Sequence, residues 1–230
     1  MCKTFPLCKT FFTFAPMSEE NTVKGKVEGL IPQVISIFMT YGIRSVTMDD
    51  IARHLRMSKK TLYQYVTDKH DLVEKCMKYD CTLHDTGIRR ITAENYNAID
   101  ENIEISKFIM QQLKGIHPSI FYDMEKYYPR AWALMQDTRE GLAAEVIRAN
   151  ITKGMSEGYF RPDIHVEIMT RLWITRMNVI FDPKHFPMQE FNIAEVYAQM
   201  FTHQIRGLAT EKGLKYFEKI QNNPNNTKHP

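Results

Sequence analysis

Between Ser58 and Val66 the chain sets two lysines, a threonine, a glutamine and two tyrosines around two apolar residues, Leu62 and Val66. Residues four apart share a helix face, so Leu62 and Val66 point inward together. That leaves Lys59, Lys60, Thr61, Tyr63, Gln64 and Tyr65 on the outward side. Such a face is basic, aromatic and rich in hydrogen-bonding groups, which suits insertion into a major groove, with base edges read from the N-terminal part of the helix. Lys69 opens the following helix, where the helix dipole disfavours a cation. A residue set against its local preference predicts an outside partner, here a phosphate.

The elements that position these side chains are written in helix stop and start signals. Tyr41-Gly42 ends a first helix, because glycine accepts the left-handed conformation that commonly follows one. Thr47 has N-cap chemistry, with Asp50 three residues on as capping-box partner. Met48, Ile51, Ala52 and Leu55 then give the buried stripe of a two-turn helix. Ser58 caps again, and Asp68 caps a third time with Asp71 at N3. Helices this short are marginal alone, so they must pack on each other and on their flanks. Two residues disturb the pattern. Arg56 falls in the turn where a left-handed conformation costs a non-glycine residue about 1 kcal/mol. Pro32 falls inside the first helix, predicting a kink or a start near that residue.

The bulk properties fit a folded globular chain. Of 230 residues, 43% are hydrophobic and 25% charged, with a net charge of +3. No apolar run long enough to span a membrane occurs. Residues 24–78 hold ten Lys and Arg against six Asp and Glu, whereas the remainder holds 20 against 21. The basic excess therefore lies where a phosphate-facing surface is expected. The four cysteines, Cys2, Cys8, Cys76 and Cys81, lack metal or redox spacing and read as free thiols of a reducing, cytoplasmic setting. Residues 1–22 read as a tail, with Met17-Ser-Glu-Glu as the expected translation start, and residues 213–230 as a polar tail.

Apolar residues recur at helical spacing throughout, which predicts an all-α chain of about nine helices. Residues 23–70 form the expected three-helix helix-turn-helix domain and 71–212 a helical domain for ligand binding and dimerisation. Aromatic and methionine side chains crowd residues 118–135. Adaptable walls of that kind suit an apolar ligand, so Phe121, Tyr122, Tyr128, Trp132 and Met135, with Trp173 and Met177 further on, are candidate pocket residues. Enzymatic readings find little footing. Gly154-Met155-Ser156-Glu157-Gly158 matches a hydrolase nucleophile elbow, but a helical run precedes it where that motif needs a strand. No phosphate-binding loop, dinucleotide fingerprint or His-Glu-x-x-His appears, and neither a metal nor a cofactor is expected. A helical small-molecule or protein-binding module without DNA binding is the alternative, although it gives no reason for Lys59, Lys60, Thr61, Tyr63, Tyr65 and Lys69 to stand together.

Residues 42–73, through Thr47-Met48-Asp49-Asp50-Ile51-Ala52, Met57-Ser58-Lys59-Lys60-Thr61-Leu62-Tyr63-Gln64-Tyr65-Val66 and Asp68-Lys69-His70-Asp71-Leu72, resemble the DNA-binding signature of TetR/AcrR transcriptional regulators. The resemblance implies base- or phosphate-reading positions at Lys59, Lys60, Thr61 and Tyr65. It implies mainly backbone contacts at Thr47, Tyr63, Gln64 and Lys69, with Arg44 and Ser58 on the same surface. It further implies a homodimer, most often a repressor, that binds a palindromic operator on double-stranded DNA and is released by a small-molecule effector. The last two helices would pair with their copies in a four-helix bundle, through Met169, Leu172, Val196, Tyr197, Met200, Phe201, Gln204 and Leu208.

Overall fold

The computed structural model describes residues 23–113, 116–117, 119–180, 182, 184–187 and 189–222. The leader at residues 1–16, the start at Met17 and the tail beyond 222 lie outside them. Ten α-helices occur among the described residues: α1 (Val23–Tyr41), α2 (Met48–His54), α3 (Lys59–Leu62), α4 (Lys69–Thr92), α5 (Ala98–Leu113), α6 (Ile120–Tyr127), α7 (Pro129–Ser156), α8 (Val166–Ile180), α9 (Ile193–Leu208) and α10 (Glu211–Asn222). The all-α expectation holds. The tenth helix occupies ground expected to be a polar tail from 213, because Phe217 is buried at 1% exposure and anchors it.

Each expected start is capped as its sequence suggests. Thr47 and Asp50 form a reciprocal capping box on α2, Ser58 accepts from the Thr61 N–H on α3, and Asp68 accepts from the Asp71 N–H on α4. α1 runs unbroken from Val23 through Pro32, neither starting near it nor ending at it. Burial of Ile31, Val34, Ile37 and Phe38 on either side offsets the hydrogen bond that proline cannot donate.

α2 ends in a Schellman motif, with the Met57 N–H on the Ala52 carbonyl at 3.0 Å and the Arg56 N–H on Arg53 at 3.1 Å. Arg56 takes the left-handed position at φ 55°, as expected. Arg56→Gly should therefore stabilise the fold by about 1 kcal/mol, read as a higher urea midpoint, whereas Arg56→Ala keeps its β-carbon and should not. The Gly154–Gly158 segment is the same device at the end of α7. Tyr159 and Phe160 both donate to the Gly154 carbonyl at 2.9 Å, and Gly158 has φ +74°. A β-carbon on Gly154 would sit 2.1 Å from the Phe160 ring. The glycines thus serve a helix end, and the Ser156 hydroxyl donates to the Lys153 carbonyl at 2.7 Å.

Two main cores result. One gathers α1–α4 with Ile120, Phe121, Met124, Tyr128, Ala131 and Met135, so α6 and the start of α7 pack directly on the helix-turn-helix. The other joins α5, the C-terminal half of α7 and α8–α10. The 24-residue α4 and the 28-residue α7 run side by side between them.

Candidate nucleic-acid interface

α2 and α3 present one exposed, mainly polar surface. Leu62 and Val66 are buried at 1% and 4%, as their spacing requires. Lys59, Lys60, Tyr63 and Gln64 are exposed, while Thr61 and Tyr65 are half-buried and Tyr65 leans on the core. α3 is only four residues long, and the chain continues as a turn where helix was expected up to Val66. The Tyr63–Val66 bonds remain helix-like, however, with Tyr65 N–H on Leu62 at 3.0 Å and Val66 N–H on Leu62 at 3.3 Å.

Fixed hydrogen bonds hold this surface in shape. Asp50 accepts the Thr47 hydroxyl at 2.6 Å and its N–H at 3.0 Å, and these two bonds hold the carboxyl below its ordinary pKa. The Ser58 and Thr61 hydroxyls lie 2.8 Å apart. Lys59 reaches back to Asp49 at 3.0 Å, which raises its pKa. Among the described residues no ion pair engages Lys60. Arg53, not one of the expected contact residues, adds a guanidinium with 77% of its side chain exposed on the last turn of α2, bonded to Asp50 at 3.4 Å. The outward spacing of α2 against its Met48–Ile51–Ala52 stripe is the signal that points to it.

Two expected contact residues turn toward the body of the protein. Lys69 donates to the Ile43 carbonyl at 2.6 Å, and partial burial lowers its pKa. Its local partner is thus a backbone oxygen, which relieves the misfit with the helix dipole without a phosphate. Arg44 donates from Nη1 to the Tyr127 hydroxyl at 2.7 Å, with its guanidinium 4.6 Å from that ring's centroid. Its backbone N–H donates to Asp123 at 3.1 Å, across 79 residues of sequence. No local pattern announces such pairings, so Asp123 and Tyr127 are not among the residues that spacing singles out.

The expected pocket residues do not meet around a cavity. Phe121, Tyr128 and Met135 are buried in the first core with Trp132 packed against it, whereas Trp173 and Met177 belong to the second. Tyr122 is 44% exposed, and its hydroxyl accepts from Lys126 at 2.6 Å. Aromatic and methionine bulk here fills space instead of lining it. An open cleft of about 560 Å³ lies elsewhere, between α8 and α9, walled by Val179, Ile180, Phe186, Phe191, Val196 and Met200.

The expected pairing face divides likewise. Tyr197, Phe201, Gln204 and Leu208 are buried inside the chain's own core, because the strongest stripe of α9 faces α5 and α8. Leu172 is 43% exposed, and Met169, Val196 and Met200 remain partly open. Ile168 and Val179 extend the open face of α8. Among the described residues no cluster of three or more acidic, His or Cys side chains is arranged to hold a metal, and no helix is long and apolar enough to cross a membrane.

Residues 35–76 match the model of the bacterial regulatory proteins of the tetR family. An uncharacterised HTH-type transcriptional regulator, YvaF of Bacillus subtilis (strain 168), is 23% identical over 171 residues, spanning 73% of this chain and 88% of that protein. A transcriptional regulator from Cytophaga hutchinsonii shares the fold at a TM-score of 0.63 and 18% identity, over 81% of this chain and 100% of that one. A TetR transcription regulator from Haloarcula marismortui does so at 0.63 and 15%, again over 81% and 100%.

Proposed function

We propose that this chain, whose N-terminal domain is that of the tetR family of bacterial regulatory proteins, is a cytoplasmic, non-enzymatic repressor that binds a palindromic operator as a homodimer and leaves it when a small molecule binds. The observation that carries the reading is the capped α2–α3 pair, which holds Lys59, Lys60, Tyr63 and Gln64 exposed on one rigid surface. Cations there would meet phosphates, and the tyrosine and glutamine would position or read the groove. Thr47, Ser58, Thr61 and Tyr65 complete the proposed contact surface.

Dimerisation is supported by Ile168, Leu172 and Val179, large apolar residues left open on one helix. The α8–α9 cleft continues that face, and a second copy would fill it. A two-fold pair would set two copies of α3 about 34–36 Å apart, one turn of DNA. Ligand control is supported by charge buried at the α4–α7 contact. Burial raises the pKa of the Asp80 carboxyl and lowers that of the Arg139 guanidinium, beside a void of about 10 Å³ also lined by Cys81 and His84. Buried, perturbed charges of this kind concentrate at functional sites.

The test is binding of the purified protein to the DNA upstream of its own gene across a salt series. Affinity should exceed that for random DNA and should fall by about a thousandfold or more between about 50 and 200 mM salt. Equal affinity for random DNA, or none for either, overturns the reading.

A further inference from the structure

We infer that Arg44 is a shared cation, held by Tyr127 of α6 in the free protein and given up to a DNA phosphate in the complex, and that Asp123 and Lys69 position it for that exchange. The inference rests on the DNA-binding function proposed above. The Ile43–Arg44 peptide lies between α1 and α2, just ahead of the Thr47 cap. Two helices of the body grip it from opposite chemical sides. From α6, Asp123 accepts the Arg44 N–H at 3.1 Å. From α4, Lys69 donates to the Ile43 carbonyl at 2.6 Å. Asp123 is 4% exposed and is steadied by the Ser119 hydroxyl at 3.0 Å, so it has little freedom to follow a moving loop. Gly42 keeps the loop close, since a β-carbon there would stand 2.7 Å from the Ser119 hydroxyl.

The Arg44 side chain, by contrast, is exposed and held by a neutral acceptor and a ring. A phosphate is the stronger partner, because it is charged and matches the guanidinium fork with two oxygens. Arg53 and Lys59 are paired within the helix-turn-helix, to Asp50 and Asp49. Arg44 instead reaches across to α6, so its availability to DNA depends on where α6 sits. Hydrogen bonds tolerate only a few tenths of an ångström, so a shift of α6 by about 1 Å changes that availability. Tyr127 and Asp123 are thus positioning residues for DNA binding, acting through Arg44.

Tyr127→Phe keeps the ring and removes the acceptor. Operator affinity should rise by about three- to tenfold, and the dependence of log K on log salt should steepen by about 0.9, one phosphate contact. In an Arg44→Ala background the same substitution should do nothing. An unchanged slope, or an equal gain in both backgrounds, overturns the inference. A protein that binds no DNA at all refutes the proposed function instead, and the grip is then read without DNA by hydrogen exchange. Asp123→Ala, checked for an unshifted melting temperature, should speed exchange of the Arg44 amide by about tenfold or more while the α4 core amides keep their rates. Unchanged exchange at Arg44 overturns the grip.

Discussion

Replacing Lys60 and Tyr63 together by alanine should lower operator affinity by about a hundredfold and erase most discrimination against random DNA, with melting temperature and oligomeric state unchanged. Each well-made contact in a groove or on a phosphate contributes about 1–3 kcal/mol, so two lost contacts give that order of effect. Both side chains are exposed, and the inward residues that hold α3 in place, Leu62 and Val66, are untouched. Lys60 is the sharper probe of the two lysines, because Lys59 already spends its charge on Asp49. Tyr63 is preferred to Tyr65 for the same reason of separability, since Tyr65 leans on the core and its loss would mix stability with binding. Gel-shift or fluorescence titration against operator and random duplexes measures the effect, with circular dichroism melting as the check on the fold. Affinity within about threefold of the parent would place the contact surface elsewhere. A drop accompanied by lower melting would mean that these residues support the fold.

What is legible in the sequence is what is written locally. A cap is an i, i+3 relation, so Thr47 with Asp50, Ser58 with Thr61 and Asp68 with Asp71 can all be read from residue order alone. The left-handed Arg56 is legible for the same reason, as the residue next after a short amphipathic run. Amphipathic period carries less. It says that a stripe on α9 is buried but not against what, and Tyr197, Phe201, Gln204 and Leu208 face the chain's own α5 and α8 instead of a second copy. Richness in aromatics and methionine carries less still, because it fits a filled core as well as a lined cavity, and Phe121, Tyr128 and Met135 fill one. The grip of α6 on the loop before α2 leaves no local trace, since its contacts join residues 79 and 83 positions apart.

The second large effect is expected far from the DNA surface. Asn150→Ala should destabilise the fold by about 3 kcal/mol, because it strands several buried polar groups at once. Asn150 is 1% exposed and donates to the Ala98 carbonyl at 3.0 Å and to Glu101 at 2.7 Å, while accepting from Asn102 at 2.5 Å. Glu101, 5% exposed, also takes the Lys153 ammonium at 2.8 Å. Alanine leaves Lys153 in place but removes the amide that satisfies the other carboxylate oxygen, a carbonyl and a second amide, all out of reach of bulk water. Urea denaturation measures the loss, and a cost below about 1 kcal/mol would mean that water or a side-chain shift replaces the amide. This network ties the N-terminal end of α5 to the C-terminal half of α7, in the core that excludes α6 and the helix-turn-helix. Folded Asn150→Ala protein should therefore bind the operator with the parent's affinity and salt slope. Tyr127→Phe should do the reverse, altering the slope and leaving the urea midpoint alone. The pair of variants thus separates the side chains that hold the molecule together from those that aim it.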